Sequence, residues 1–287
     1  MVQLDKKNRV ILVTGSRGWL GRVSVNLLQA QMPDYEIFSL SNGGKFDFWT
    51  FDFEKINVVG VVHLAFLTRD KILEIGKEKY AEMNNLIIRR AREIIYLSCP
   101  KWVVTVSSGA VHEDLPNSNY GELKLHEEET LLQVCQEKNS SLVIGRLWGA
   151  TGSQMPINRN YAISDFICQA IESNQICVNS GAEVWRRYVD AEQFMEVLIR
   201  QSQTGHSQVL DSGGTLVEIG ELATLISTEF SNVPVTRRER TLSDSDNNYF
   251  SKNENFERIA AGYGIKLLSM CEQVQETIRG HRAQLGL

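Results

Sequence analysis

Tyr120 and Lys124 stand four residues apart in the segment Tyr120-Gly121-Glu122-Leu123-Lys124, which on a helix puts a phenol and an ammonium on one face. Twelve residues upstream, Ser107-Ser108 closes the apolar run Trp102-Val103-Val104-Thr105-Val106. A hydroxyl, a phenol and an ammonium are the groups needed to move a proton while a hydride is transferred at a carbonyl or carbinol carbon. Ser108 would hydrogen-bond the substrate oxygen and hold it against Tyr120. For tyrosine to work near neutrality its ordinary pKa near 10 must fall by about three, or roughly 4 kcal/mol. A neighbouring ammonium acts in that direction.

A second constellation lies near the N-terminus. Val10-Ile11-Leu12-Val13-Thr14-Gly15-Ser16-Arg17-Gly18-Trp19-Leu20-Gly21 places three glycines at intervals of three between an apolar run and the amphipathic stretch Val23 to Gln31. A tight turn needs residues without a Cβ, and the helix that follows offers unpaired N–H groups and a positive dipole end to a pyrophosphate. Gly15, Ser16, Arg17, Gly18, Trp19, Leu20 and Gly21 are therefore candidate cofactor contacts. The spacing is G-x-x-G-x-x-G, a variant of the usual dinucleotide fingerprint. An NAD site ordinarily has a carboxylate at the end of the second strand to hold the ribose 2′-OH, yet here that strand ends Ser39-Leu40-Ser41-Asn42. Arg17 could instead pair with a 2′-phosphate, so NADP(H) is favoured, with NAD(H) as the alternative. Ser41, Asn42 and Asp52 complete the expected contacts on that side.

Positioning these groups requires strands that end together. Val10–Val13, Glu36–Leu40, Val58–Leu64, Trp102–Val106 and Leu142–Ile144 alternate with helical stretches that include Lys77–Tyr96 and Glu122–Glu137. That alternation predicts an α/β, Rossmann-type, doubly wound parallel sheet. A dinucleotide-binding domain is expected over residues 1–152, completed by about 186–215, with Gln208-Val209-Leu210 as its last strand. Residues 153–185 and 216–287 would form a smaller, discontinuous substrate-binding region. There, Ile176–Val178 is a strand candidate, and helices are expected near Glu192–Gln201 and Ile219–Glu229. The stretch Thr236–Asn255, dense in Arg, Asp, Ser and Asn, reads as one long loop.

Composition narrows the function class. The 287 residues are 43% hydrophobic, enough for a continuous core, and the net charge of −5 offers no global field for nucleic acid or anionic lipid. No apolar run approaches the ~20 residues of a membrane span, and the N-terminal Met1 to Lys7 lacks a signal-peptide core. A cytoplasmic protein acting on a small molecule is expected. Cys99, Cys135, Cys168, Cys177 and Cys271 form neither C-x-x-C nor a Cys/His cluster, so reduced, mostly buried thiols and no metal site are expected.

The ordered set Thr14-Gly15-x-x-Gly18-x-x-Gly21, His63-Leu64-Ala65, Asn84, Val106-Ser107-Ser108, Tyr120-x-x-x-Lys124, Arg146-Leu147-Trp148-Gly149 and Tyr188-Val189-Asp190 resembles the extended short-chain dehydrogenases/reductases. More narrowly it resembles the NAD-dependent epimerase/dehydratase group that acts on nucleotide sugars. The likeness covers nearly the whole chain, including Ser251 to Ile278. It implies Tyr120 as acid/base with Ser108 as its partner, Lys124 also bonded to the nicotinamide ribose, and Leu64, Ala65 and Asn84 beside the cofactor. It also implies a homodimer built through the two long helices.

Departures from the family pattern shape the expected reaction. Dehydratases of this group carry an Asp-Glu pair after the catalytic hydroxyl, whereas Gly109-Ala110-Val111-His112 follows Ser108; dehydration is disfavoured. His112 reads as a solvent-facing loop histidine. Arginines usually hold the diphosphate of the nucleotide sugar, and the candidates are Arg186, Arg187, Arg237 and Arg238. The usual arginine five positions before the Val-Asp motif is replaced by Val184. Asn158, Asn160 and Phe166 fall where nucleobase and sugar contacts are expected. The leading expectation is an NADP(H)-dependent reductase of a keto group on a nucleotide-linked sugar. Its alternatives are an NAD(P)-dependent nucleotide-sugar epimerase and a non-catalytic dinucleotide-binding protein.

Overall fold

Val10 to Val13 are buried without interruption, so the first strand, β1 (Arg9–Thr14), is covered on both faces. The computed structural model describes residues 9–52, 56–112, 119–252 and 254–287. After β1 come α1 (Trp19–Gln31), β2 (Glu36–Ser41), β3 (Phe46–Asp47), β4 (Asn57–His63), α2 (Lys71–Ile75), α3 (Lys77–Ser98) and β5 (Trp102–Ser108). A short 3-10 turn, Gly109–His112, precedes α4 (Tyr120–Glu137) and β6 (Ser141–Leu147). The chain continues through β7 (Ala150–Thr151), α5 (Ala162–Ser173), β8 (Ile176–Val178), β9 (Val184–Asp190), α6 (Ala191–Ser202) and β10 (Gln208–Asp211). It ends with β11 (Thr215–Glu218), α7 (Ile219–Glu229), β12 (Val235–Arg237), β13 (Asn247–Tyr249), α8 (Asn255–Gly262) and α9 (Met270–Leu285).

A seven-stranded sheet has the order β10-β6-β5-β4-β1-β2-β3, and from β6 to β3 every neighbouring pair runs parallel. This is the Rossmann-type α/β sheet that the alternating pattern predicts. Two compact units result: Met1–Leu147 with Met195–Leu210, and Trp148–Phe194 with Asp211–Leu287. The segment returning to the first unit is narrower than 186–215, because β9 pairs with β11 and β13 in a separate sheet. In the first unit, Ile87, Ala91, Ile94 and Ile95 of α3 and Leu131 and Val134 of α4 join a core with Leu12, Val61, Val103 and Leu142 from the strands. In the second, α9 packs on α5 and α7.

The polar stretch Thr236–Asn255 is not one loop. It contains the end of β12 and all of β13, which pair in parallel with β8 and β9. All three β12 residues are exposed, so no in-out alternation marks the strand, and backbone pairing to a remote partner makes it. The cysteines are all free thiols, but only Cys135 and Cys168 are buried, while Cys99 and Cys271 are exposed. Among the described residues no helix is long and apolar enough to cross a membrane.

One close packing contact gives a stability prediction. A Cβ on Gly60 of β4 would come within 2.1 Å of the Trp102 indole, and Trp102 is itself buried. Gly60→Ala is expected to destabilise the protein by about 1–3 kcal/mol through overpacking, measured as a lowered midpoint in chemical or thermal denaturation.

Candidate functional site

The glycine turn has little tolerance for side chains. Gly15 has φ +66°, and a Cβ there would lie 2.6 Å from the Leu64 backbone; a Cβ on Gly21 would lie 2.2 Å from the Gly15 carbonyl oxygen. Gly18 is less crowded, its N–H donating to the Gly15 carbonyl at 2.9 Å. Gly18 is also the N-cap of α1, and no side chain caps the helix. The first N–H groups of the helix therefore receive no cap from its N-cap residue and lie at its positive pole. A pyrophosphate is the type of group that such a turn accommodates.

Ser16 and Arg17 tie the turn to the end of β2. Ser16 Oγ donates to the Leu40 carbonyl at 3.3 Å, and Arg17 Nη1 to the Asn42 carbonyl at 3.0 Å. Sequence reasoning found no carboxylate at the end of β2, but β3 brings one in from outside that strand, since its register sets Asp47 opposite Ser41. Asp47 accepts from the N–H groups of Gly43 (2.6 Å), Trp49 (2.9 Å) and Thr50 (3.2 Å). The Gly43 bond, with those of Trp49 and Thr50, holds it below the usual carboxylate range against the effect of burial. Asp52 is exposed just beyond β3.

At the end of β4 the N–H groups of Leu64 and Ala65 both donate to Thr14 Oγ1, at 3.1 and 3.2 Å. Asn84, fully buried on α3, accepts from the Leu67 N–H (2.8 Å) and donates to its carbonyl (3.3 Å). Its carboxamide therefore fastens the backbone of Leu67 through both its oxygen and its nitrogen, in the position where a cofactor contact was expected.

Ser108, Tyr120 and Lys124 come together where β5 ends and α4 begins. Ser108 Oγ accepts from the Ala110 N–H at 3.2 Å and hydrogen-bonds the Tyr120 phenol. Phe66 packs its ring against Tyr120 at 5.9 Å between centroids and lies 3.7 Å beneath the Lys124 ammonium. Lys124 donates to the Val106 carbonyl at 2.9 Å and to Glu127 Oε2 at 2.7 Å. Sequence reasoning missed Glu127; the only available signal was its three-residue spacing from Lys124. The partner changes the expected electrostatics. Although its edge reaches solvent, Tyr120 is pushed up to about 12 by burial, with the Ser108 bond opposing and the Glu127 charge adding to it. The expected lowering is not seen: burial raises the phenol, and Glu127, which pairs with the ammonium, adds to it.

His112 is exposed, as expected of a loop histidine, but its Nε2 lies 2.9 Å from Arg146 Nη1. Arg146 also makes a fork to Glu128 at 3.0 and 2.7 Å.

In the second unit three of the four candidate arginines, Arg187, Arg237 and Arg238, are held by acids. Arg187 Nη1 is 3.4 Å from Glu257, which also accepts from the Gly214 N–H at 2.9 Å. Arg237 makes two bonds to Glu218, at 3.0 and 2.9 Å. Burial opposes ionisation of Glu218, but Arg237 and the N–H groups of Val184 and Gly220 hold it below the usual carboxylate range. Arg238 pairs with Asp244. Arg186 donates to the Trp185 and Asn247 carbonyls and stands 5.8 Å from the Tyr249 ring. Asn158 Oδ1 accepts from the Asn160 N–H, and Phe166 is buried in the core face of α5 instead of facing a ligand.

Residues 11–211 match the NAD dependent epimerase/dehydratase family. The chain belongs to that family. It is accordingly an enzyme of the extended short-chain dehydrogenase/reductase type. Solved structures with the same fold include a UDP-N-acetylglucosamine 4-epimerase from Methanobrevibacter ruminantium M1 in complex with UDP-N-acetylmuramic acid (18% identity, TM-score 0.77, covering 97% of this chain and 99% of that one). MoeE5 in complex with UDP-glucose and NAD is 19% identical, with a TM-score of 0.74 and coverage of 96% and 99%. RMD from Pseudomonas aeruginosa complexed with NADPH is 16% identical, again with a TM-score of 0.74 and coverage of 96% and 99%. No curated protein matches the chain.

The crowding at Gly21 predicts the behaviour of one variant of this family member. Gly21→Ala must displace the Gly15 carbonyl and is expected to weaken NAD+ or NADP+ binding by about tenfold or more, read by fluorescence titration.

Proposed function

We propose that this enzyme is an NAD(P)-dependent epimerase of a nucleotide-linked sugar, in which Ser108, Tyr120 and Lys124 act on a hydroxyl-bearing carbon. The observation that carries the proposal is the Ser108–Tyr120 hydrogen bond with Lys124 one helical turn away, in a chain of this family. Ser108 orients the sugar oxygen, Tyr120 takes its proton as the carbon is oxidised, and returns a proton as the carbon is reduced from the other face. Gly15, Gly18 and the N-terminus of α1 would hold the nicotinamide cofactor, which when bound would supply reversible hydride transfer at that carbon. Lys124 holds positive charge one helical turn from the phenol and would also bond the nicotinamide ribose. The family and the UDP-sugar complexes among the similar folds support the sugar-nucleotide class. Arg186 and Asn158 are the second unit's candidates for the nucleotide.

Epimerisation replaces the keto-reductase reading, which leaned on Arg17 as a 2′-phosphate reader. Arg17 donates to the Asn42 carbonyl, and Asp47 stands opposite Ser41, so both NAD and NADP remain compatible with this edge. A homodimer through α3 and α4 is supported by the exposed Leu86, Leu97, Leu125 and Leu132 on those helices.

Incubation with UDP-glucose or UDP-N-acetylglucosamine and catalytic NAD+ is expected to yield the epimer, followed by proton NMR, without net NADH. Stoichiometric consumption of NADPH would favour the reductase instead. Tyr120→Phe is expected to lower turnover by at least about a hundredfold while cofactor affinity is retained; full activity of that variant would overturn the assignment. Arg17→Ala should weaken NADPH more than NADH if Arg17 reads a 2′-phosphate, and equal losses would remove that role.

A further inference from the structure

A carboxylate that the reaction above does not use is buried directly behind its lysine. Glu127 has a side chain 2% exposed, beside His63 at 0% and Lys124 at 6%. One oxygen takes the Lys124 ammonium at 2.7 Å. The other lies 3.2 Å from His63 Nε2, close but poorly aligned, and 3.4 Å from Thr105 Oγ1. His63 Nδ1 is 2.7 Å from Thr14 Oγ1. Because that hydroxyl already accepts from the Leu64 and Ala65 N–H groups, its own proton is directed at Nδ1. The hydrogen-bond pattern therefore assigns the imidazole proton to Nε2, on the Glu127 side. Burial works against ionisation of Glu127, but the Lys124 charge and the His63 contact outweigh it and hold the group below the usual carboxylate range. The chain Thr14–His63–Glu127–Lys124 thus runs from the residue before Gly15 to the lysine one turn from Tyr120.

We propose that Glu127 is a positioning residue for the Lys124–Tyr120 pair, clamped between His63 and Lys124 so that it fixes the ammonium and offsets its charge beside the phenol. The inference rests on Tyr120 being the acid/base. Two of the three ammonium protons point to Val106 and Glu127, so Lys124 cannot swing freely towards solvent. Besides the Lys124 ammonium one turn away on α4, the charges facing Tyr120 are those of Glu127 and Asp70, and Tyr80 of α3 is a further ionisable neighbour. Removing the Glu127 charge makes phenolate formation easier.

The test reads NAD+ affinity against pH and needs no substrate. A positive nicotinamide beside Tyr120 stabilises the phenolate, so NAD+ affinity must begin to rise at the pH where Tyr120 ionises in the complex, whereas NADH affinity should not. Glu127→Gln is expected to move that onset down by about one pH unit, Lys124→Met to move it up, and the double variant to bring it back towards the wild-type value. A thermal melt accompanies each. If Glu127→Gln alone does not fold, comparison of Lys124→Met with the double variant carries the same information. Identical onsets in those two, or in Glu127→Gln and wild type, with a flat profile for Tyr120→Phe, would overturn the role of Glu127 alone. A rise that persists in Tyr120→Phe would overturn the acid/base reading of Tyr120 and this inference with it.

Discussion

The register between parallel strands is the constraint on which the site depends. β1 pairs with β4 so that Thr14 lies opposite His63, and β4 pairs with β5 so that His63 lies opposite Thr105. Gly15, Leu64 and Ser108 consequently lie at or just beyond the carboxyl ends of their strands, where open α/β sheets bind ligands. Side chains alternate along a strand, so a slip of one residue in β5 would send Ser108 to the opposite face and remove its bond to Tyr120.

That shared edge also explains why polar groups are tolerated in the core. Thr14, His63, Thr105, Lys124 and Glu127 are all buried, and each is costly to bury alone. Joined in one network they fasten α4 to the strands at a defined height, which apolar packing by Leu131 and Val134 does not specify as tightly. The same low-dielectric setting makes the Lys124–Glu127 pair sensitive to loss of either partner. It also makes the local charge at Tyr120 depend on both residues.

In the second unit the balance of charge is similar in kind. Arg187, Arg237 and Arg238 each face a carboxylate, so a phosphate reaching them must compete with Glu257, Glu218 or Asp244. The pairs also have structural work: Glu218 caps α7 through the Gly220 N–H, and Glu257 of α8 holds the Gly214 N–H. Spacing in the sequence could not separate arginines available to an anion from arginines holding helices and turns.

What the sequence alone determined is local or periodic. Apolar runs marked β1, β4, β5 and β6, which are buried on both faces along most of their length, and shorter apolar patterns marked the half-exposed β2 and β10. The glycine spacing marked a turn in which Gly15 and Gly21 have no room for a Cβ, and the four-residue spacing of Tyr120 and Lys124 put them on one helical face. Tertiary structure decided whatever depends on a partner distant in sequence. β12 and β13 are strands only because β8 and β9 offer backbone groups to pair with, and Asp47 meets Ser41 only through the β2–β3 register. Glu127 sits three residues from Lys124, but His63, the other side of its clamp, is 64 positions away. Burial disfavours charge on Glu127, and only the Lys124 ammonium and the His63 contact hold it ionised; that arrangement exists only in the folded chain.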